Sequence, residues 1–469
     1  MKTHVQPRTC RSGFTYVSVV ITMIVVGTML TAYLQMVSVQ NQSTMRSQAW
    51  NRTVPVLEAG VEEALAHLNK NAASDAAGVF TVNMTADGWT ETGTGGWYKI
   101  GELGDDIYYT VISPFSAGTY YPLIKSVGYV KQLPTLSMKS QSGLFVAAIS
   151  LEELQATRSG YVQRTVFCNT TNVPAYTKAL VAKHGIDLRG NNVRTDSFDS
   201  TIPAFNTDGR YDLTKARDHG DIASNDTITN SVSVGNANIF GNVATGPRGT
   251  VSVGPLGCVG DAAFQANPAN AGKIQAGHST DDMNVEFTDQ IMPSVAWSAL
   301  PSGGIVNGVN YNYVFDQPGD YQATLTLNGK ILVSARNVRI RVDSGMTFTG
   351  SEGLNITSNA NVIVYLNCPS ASIGGNGIMN EGKANQCYIL GTEQLKSLSI
   401  GGNGSITAVV NAPYADVTFD GSGHIITDFS GAAMANSFSF TGNFNFHFDE
   451  SLPRIGFYRG YAITSWNEK

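Results

Sequence analysis

The sequence has few charged residues and little that would bind nucleic acid. Only 14% of its 469 residues are charged, whereas soluble domains usually have about 25%. The formal net charge is -6, with only 30 Lys and Arg residues. This balance argues against a nucleic-acid groove, so no nucleic-acid partner is expected. The 49 glycines, with many Asn, Ser, Thr and Val residues, predict β structure with tight turns on an exported, hydroxyl-rich protein.

Cysteine is also scarce, and its spacing excludes the common metal motifs. Of the five cysteines, Cys10 lies near the start, and Cys168, Cys258, Cys368 and Cys387 are spread through the rest. The absence of CxxC or paired Cys/His spacing argues against zinc. Four cysteines in so long a chain are not a disulfide scaffold. Disulfides, with Cys368 and Cys387 as the closest-spaced pair, and buried free thiols both remain open.

No local motif predicts catalysis. The seven histidines form no HExxH motif, and the chain contains neither GxSxG nor GxxxxGK[ST]. We therefore expect a protein that is not an enzyme and has no cofactor.

One long segment contains no charge at all. No charged side chain occurs from Phe14 to Gln40, and a helix of that length spans the roughly 30 Å core of a bilayer. Lys2, Arg8 and Arg11 precede it, so the positive-inside rule predicts a cytoplasmic N-terminus. The sequence thus predicts a single-pass inner-membrane protein whose remaining residues are periplasmic or on the cell surface.

The junction before this helix has its own pattern. A basic leader, residues 1–13, ends in Gly13 and is followed by Phe14 and Thr15. A secretory signal would have its cleavage site after the apolar run. The arrangement resembles the class III signal of type IV pilins and pseudopilins. The resemblance implies that a prepilin peptidase cleaves after Gly13 and methylates Phe14. A plain N-terminal anchor with a basic tail is the alternative.

Ser18 departs from the pilin pattern. Most major pilins have Glu at this position, where it neutralises the N-terminal amine of a neighbouring subunit. A buried ammonium without a carboxylate partner is costly. This departure from the pattern predicts a minor, tip-like or non-assembling role rather than a long filament. The resemblance itself implies a type IV pilus or type II secretion pseudopilus, with other pilin or pseudopilin subunits as partners.

The predicted membrane helix continues into an amphipathic stem, giving a segment 14–70. Apolar residues recur at helical spacing from Leu57 to Leu68, and Pro55 is expected to kink the helix or start a new segment. Residues 58–69, EAGVEEALAHLN, resemble the stretch after the membrane helix in PilX-type minor pilins. Pro55 resembles the helix-bending proline of many pilins.

In residues 71–171 the apolar residues recur at every second position, as in a β-strand. The runs Trp97–Ile100, Ile107–Ile112, Ile124–Lys131 and Tyr161–Cys168 predict short strands divided by turns. They indicate an antiparallel meander. A helix followed by a meander resembles the head of pilin-like proteins.

Residues 172–455 consist of short apolar segments separated by Gly, Asn and Asp. Between Lys330 and Ser451, similar units recur about every 20 residues, which is typical of a solenoid. We predict a parallel β-helix, with an antiparallel β-sandwich as the alternative. Residues 264–321, rich in Pro and Gly, are interpreted as an irregular insertion, and residues 456–469 as a cap over the last rung. The fold class is therefore α+β, mainly β.

Three phrases in this half resemble a known group of sequences. They are IDLRGNNVRTDSFDS (186–200), GNVATGPRGTVSVGPLGCVGD (241–261) and NAPYADVTFDGSGHIITDFSGAA (411–433). They resemble uncharacterised β-rich ectodomains fused to PilX-like N-termini in Verrucomicrobia and relatives. The resemblance implies architecture and a surface location, and no chemistry.

Carboxylates supply the only candidates for a site. Asp420 and Asp428, with His424 between them, are candidates for a polysaccharide-cleaving enzyme anchored in the membrane, because glycoside hydrolysis uses paired carboxylates. Asp196 and Asp199 are candidates for Ca²⁺. In both cases turn-forming carboxylates are the favoured interpretation. The favoured function is adhesion by a displayed β-solenoid, with a surface glycan as partner.

Overall fold

The computed structural model describes residues 12–74, 80–82, 84–93, 95–113, 121–131, 161–190, 193–402, 405–421 and 427–469. A long apolar helix precedes a mainly β body there, as the sequence predicted. The chain divides into two units. The first holds Met1–Asn71, Val82–Asn172 and Tyr461–Lys469, and the second holds Ala72–Thr81 and Val173–Gly460. The second unit is therefore an insertion in the sequence of the first.

Helix α1 spans Ser12–Asn71 and contains Pro55 within it. The prediction that a new segment starts at this proline is wrong. Pro55 lacks the N–H that would continue the hydrogen-bond pattern, but the next two side chains, Val56 and Leu57, are almost completely buried. Packing of this face compensates for the lost hydrogen bond and keeps the helix continuous.

The first unit contains a six-stranded sheet in the order β3-β4-β5-β6-β7-β36. Its strands are β3 (Thr90–Glu91), β4 (Trp97–Leu103), β5 (Asp106–Ile112), β6 (Leu123–Lys131), β7 (Tyr161–Pro174) and β36 (Tyr458–Glu468). Strands β3 to β7 pair antiparallel in succession, as expected for a meander. Two further strands, β1 (Ala72–Ser74) and β2 (Phe80–Val82), form a separate pair.

The C-terminal strand completes this sheet. Lys469 donates its backbone N–H to the carbonyl of Thr165 at 2.9 Å, and the side chain of Asn169 donates to Ser465 at 2.7 Å. The interpretation of residues 456–469 as a cap over a last rung is therefore wrong for β36. An unpaired edge of β7 offers the strand backbone hydrogen bonds that a cap position would not.

Helix α1 packs closely on this sheet. Small residues allow the approach: a Cβ added to Gly128 would lie 2.9 Å from the carbonyl oxygen of Thr53, and one added to Gly60 would lie 2.4 Å from Oγ1 of Thr110. Larger side chains at either glycine would push the helix away.

The second unit consists mainly of a 22-stranded sheet in which every described strand pair is parallel. The first eleven of its strands are β8 (Leu180–Ala182), β9 (Ile186–Asp187), β10 (Arg194–Phe198), β11 (Ile222–Ser224), β12 (Val232–Gly235), β13 (Asn238–Phe240), β14 (Val243–Ala244), β15 (Val251–Val253), β16 (Cys258–Gly260), β17 (Lys273–Ile274) and β18 (Ser279–Thr280). The others are β19 (Ser298–Ala299), β23 (Gly319–Ala323), β25 (Val338–Val342), β26 (Met346–Phe348), β28 (Val362–Leu366), β29 (Ser370–Ile373), β31 (Cys387–Gly391), β32 (Ser397–Gly402), β33 (Ile406–Gly421), β34 (Thr427–Thr441) and β35 (Phe444–Asp449).

Smaller elements accompany this sheet. A second parallel sheet contains β22 (Tyr313–Phe315), β24 (Lys330–Val333), β27 (Gly353–Ile356) and β30 (Ile378–Asn380), and a hairpin contains β20 (Gly304–Val306) and β21 (Val309–Tyr311). The short helices are α2 (Ala262–Gln265) and α3 (Leu452–Ile455). We call the two parallel sheets together the parallel stack.

The strands of the stack are not ordered as in the sequence. From β23 through β25, β28, β31 and β33 to β34, each strand pairs with one about 20 to 25 residues further on. Strand β35 then pairs with β34 and also with β10. On its other side β10 pairs with β13, which pairs with β16. The chain thus enters the stack in its middle, and the last strand of the stack lies beside the first ones.

Residues 281–297 connect the two halves of the stack. They form neither helix nor strand, and side-chain hydrogen bonds attach them to the stack. Val285 and Asn225 exchange two hydrogen bonds, at 2.6 and 2.9 Å. Tyr414 donates to Asp289 at 2.5 Å. The predicted irregular insertion 264–321 is therefore too wide, because its flanks form strands of the stack.

Candidate functional site

Helix α1 has two halves with opposite environments. From Tyr16 to Val39 its large apolar side chains are exposed; Tyr16 is 77% exposed and Val39 is 64% exposed. From Ala49 to Leu68 one face is buried. Helix α1 is long and apolar enough to cross a membrane, and none of its most apolar 18-residue window is buried. Exposed apolar surface of this extent marks a membrane or protein contact.

Hydroxyl groups within the exposed half are bonded to the helix itself. Ser18 donates to the carbonyl of Thr15 at 2.9 Å, Thr22 to Ser18 at 2.8 Å, and Thr31 to Gly27 at 2.8 Å. Such bonds satisfy hydroxyls that meet no water in a bilayer. Ser18 therefore adds no unsatisfied polar group to the apolar half.

The predicted processing residues lie at the start of α1. The backbone of Gly13 and Phe14 is helical, and residues 1–11 of the leader lie outside the described residues. Cleavage and methylation there stay predictions. Pro55 lies within the packed half of α1.

The carboxylates proposed for the enzyme alternative do not contact each other. Asp420 is exposed and accepts a hydrogen bond from Thr441 at 2.8 Å. Asp428 accepts from Asn445 at 3.0 Å, and the two lie at opposite ends of the β33–β34 pairing. His424 lies outside the described residues.

Asp428 instead belongs to a polar cluster around the buried imidazole of His447. In the register of β10 and β35, Asp196 lies opposite His447, and its Oδ1 is 2.5 Å from the Nδ1 atom of His447. The other imidazole nitrogen, Nε2, lies 3.4 Å from Oδ1 of Asp428. Tyr211 stacks on the imidazole with 3.4 Å between ring centroids and donates to Oδ2 of Asp196 at 2.7 Å. Sequence analysis did not identify His447 as a site residue.

Charges in this cluster alternate in sign. Arg194 donates to Oδ2 of Asp196 at 2.6 Å, and the Asp196 side chain is fully buried. Burial lowers the pKa of His447, but the contact with Asp196 and the charge attraction of Asp196 and Asp428 together outweigh it, so this pKa is raised. Burial is the largest single effect on the pKa of Asp428 and raises it, but the attraction of the His447 cation and the hydrogen bond from Asn445 together outweigh burial, so that pKa is lowered. Both directions favour the ionised pair.

The predicted Ca²⁺ candidates have protein partners already. The oxygens of Asp196 bind His447, Tyr211 and Arg194, as described above. Asp199 accepts from Arg454 at 2.5 Å and from the backbone of Thr201 at 2.9 Å. Among the described residues no group of three or more His, Cys, Asp or Glu side chains could hold a metal ion. The structure thus identifies neither aspartate as a metal ligand.

The four cysteines described by the structure are buried free thiols: Cys168, Cys258, Cys368 and Cys387. Burial raises the pKa of Cys168 to about 11 and also raises the pKa of Cys387. A thiol that stays protonated is a poor nucleophile and metal ligand. These side chains therefore act as small apolar groups in the core.

A row of small polar residues follows one outer face of the stack, and we call it the hydroxyl ladder. Each member pairs in register with the next, in the order Thr347, Ser372, Ser399, Thr418, Ser439, Asp187, Ser233 and Ser252. All are at least partly exposed. In the described structure the hydroxyls of Ser372, Ser399, Thr418 and Ser439 have no protein partner. Adjacent members repeat at the strand spacing of about 4.8 Å.

Comparison with known proteins gives limited information. A family model described as a domain of unknown function, DUF7305, matches residues 297–455, from the end of the connecting segment to the end of the stack. No curated protein matches the chain. The chain is similar to the competence-associated pilin ComZ from Thermus thermophilus, with 8% identity, a TM-score of 0.19, and coverage of 89% of this chain and 97% of that chain. A likeness at that score supports no structural or functional argument.

Proposed function

We propose that the protein is a pilin-like component of the cell envelope. The two halves of α1 carry this proposal: an exposed apolar half suited to a bilayer, and a second half packed on an antiparallel sheet. The basic residues before α1 support a cytoplasmic N-terminus in the inner membrane. The same apolar half would pack against other pilin or pseudopilin subunits, and Ser18 favours a minor or tip position in a type IV pilus or pseudopilus.

Processing at Gly13 tests the pilin part of the proposal. We expect intact-mass analysis of the protein, co-produced with a prepilin peptidase, to show a chain that starts at methylated Phe14. The reason is that the helix then begins at a free apolar end, as assembly of pilin helices requires. A Gly13→Val variant should retain the leader. Retention of residues 1–13 in the unmodified protein would leave only the plain anchor.

The parallel stack is the part that would be displayed. We propose that it forms a β-solenoid, since strands pair in parallel at intervals of about 20 to 25 residues. Within the part of the chain that the structure describes, four members of its hydroxyl ladder, Ser372, Ser399, Thr418 and Ser439, offer unpaired donors and acceptors on successive strands. The one charged member, Asp187, is paired with Arg189. We propose that it binds an uncharged glycan on a neighbouring surface, through many weak contacts that add up.

Substitution of the ladder tests adhesion. Replacing Ser399 and Thr418 by lysine should reduce binding to the adhering surface at least tenfold, because two bulky charges interrupt the row at its centre. Binding can be measured by surface plasmon resonance on immobilised neutral polysaccharides. Replacing the exposed residues Ser358 and Asn359, in the turn between β27 and β28, by lysine is the matched control. Equal loss in both variants would argue against the ladder.

A membrane-anchored polysaccharide-cleaving enzyme remains the alternative function. The observation that favours it is the half-exposed carboxylate of Asp428 beside His447. Turnover of a polysaccharide that is lost in Asp420→Asn and Asp428→Asn variants would support it, whereas binding without turnover supports display.

A further inference from the structure

The cluster around His447 joins parts of the stack that are far apart in sequence. Asp196 lies on β10, near the start of the stack, and His447 lies on β35, its last strand, 251 residues later. Asp428 comes from β34. These three side chains therefore connect one of the first strands of the stack, β10, to its last two strands, β34 and β35.

The segment 199–221 covers this cluster. It leaves the stack after β10 and returns at β11, and Tyr211 within it contributes the ring that lies on His447. Arg217, in the same segment, binds Glu450 at 2.7 Å just after β35. Lys215 donates to the carbonyl of Asn206 at 2.5 Å and stabilises the segment internally. The segment is therefore attached to both strands at the junction.

We propose that Asp196, His447 and Asp428 form a pH-sensitive clasp, which keeps segment 199–221 closed over the β10–β35 junction while His447 is protonated and loosens it when the proton leaves. The His447 imidazole is 2% exposed and stands between two carboxylates. When it is charged, the cations His447 and Arg194 balance the two carboxylates. When it is neutral, the site holds one net negative charge. Water reaches Asp428 in part, but Asp196 and the imidazole are buried, so the ion pair that stabilised the closed segment is lost without compensation there.

The neighbours of His447 on three elements act in two directions. The carboxylates of Asp196 on β10 and Asp428 on β34 favour the protonated imidazole, whereas the cation of Arg194, which binds Asp196, opposes it. The Tyr211 hydroxyl of segment 199–221 stays neutral, because burial and Asp196 raise its pKa. The raised pKa of His447 means that its stabilisation is complete below its ordinary value of 6.5 and is lost as the pH rises through the folded-state pKa. The lowered pKa of Asp428 means that its share is present above its ordinary value of 3.8 and is lost in acid. The clasp is therefore closed in mildly acidic solution and loosens in alkaline solution.

Hydrogen–deuterium exchange of the full-length protein in detergent micelles tests this proposal. After correction for the intrinsic pH dependence of exchange, we expect amides in segment 199–221 to lose about tenfold in protection between pH 6 and pH 9. Amides in β28 and β31 should not change. In His447→Gln, which is neutral at every pH, segment 199–221 should be weakly protected at both pH values. His219→Gln is the matched control, since His219 lies in the same segment, is exposed and pairs with Glu450; it should keep the wild-type response.

A second variant keeps the proposal testable if His447→Gln does not fold. Asp428 is 42% exposed, so Asp428→Asn should fold. Without its charge, Arg194 and Asp196 balance each other when His447 is neutral, so the loss of protection between pH 6 and pH 9 should become much smaller. No pH-dependent exchange in the wild-type segment, or an unchanged response in Asp428→Asn, would overturn the clasp. Neither result depends on the proposed pilin-like role.

Discussion

Replacing Phe419 by alanine is expected to lower the free energy of unfolding of the parallel stack by about 3–5 kcal/mol. The Phe419 side chain is fully buried. It forms the centre of an aromatic cluster and stacks on Phe440, its partner in the register of β33 and β34, with 4.7 Å between ring centroids. Phe444 lies 4.9 Å away and Phe446 5.7 Å away. Truncation leaves a cavity that the neighbouring rings cannot fill, because each is held by its own strand.

Because the chain has two units, the measurement must report on the unfolding of the parallel stack alone. Exchange protection of β33, β34 and β35 amides as a function of denaturant gives the free energy of their opening, and the first unit does not contribute. Phe287→Ala is the matched control: this ring is only partly buried, lies on the connecting segment next to Lys183 and packs at the margin of the core. A smaller loss of about 1 kcal/mol is expected there. Similar losses in both variants would contradict the central role of Phe419.

Local patterns predicted the elements well. The alternation of apolar residues located β4, β5 and β6 to within three residues and the start of β7, although β7 extends six residues beyond its predicted end. The apolar run located α1. These features depend on neighbouring residues only. The order of strands in the stack could not be predicted in the same way. Strand β35 pairs with β10, although the two strands are far apart in the sequence. No residue near either strand indicates that the end of the stack returns to the first strands.

The cluster around His447 shows the same limit for a site. Asn445, His447 and Asp449 alternate with inward-facing phenylalanines along β35, so the sequence indicates that they face outward. Outward residues are usually solvated, yet His447 and Asp449 are buried. One signal was present: segment 199–221 is too long for a turn between adjacent strands, and a long excursion often covers part of a surface. Which residues it covers depends on the register of β10 and β35.

Introducing arginine at both Val20 and Ile24 is expected to release the protein from the membrane. Each arginine near the centre of a membrane helix costs about 2.5–3.5 kcal/mol in insertion, so the pair costs roughly 6 kcal/mol. Both side chains are exposed in the apolar half of α1, where no packing would change. The fraction of protein that sediments with membranes after alkaline extraction measures the effect.

The control distinguishes membrane insertion from damage to the fold. Gln42 and Thr44 are exposed on the same helix beyond the apolar run, and arginines there should leave the protein in the membrane fraction. Because Val20 and Ile24 are exposed, their replacement removes no packing from the folded units. Exchange protection in β5 and β28 should therefore be equal in both double variants. If the Val20→Arg/Ile24→Arg protein stays in the membrane, the bilayer is not what covers this half of α1. The apolar surface would then be covered by other helices, and the anchor would depend on assembly with other subunits.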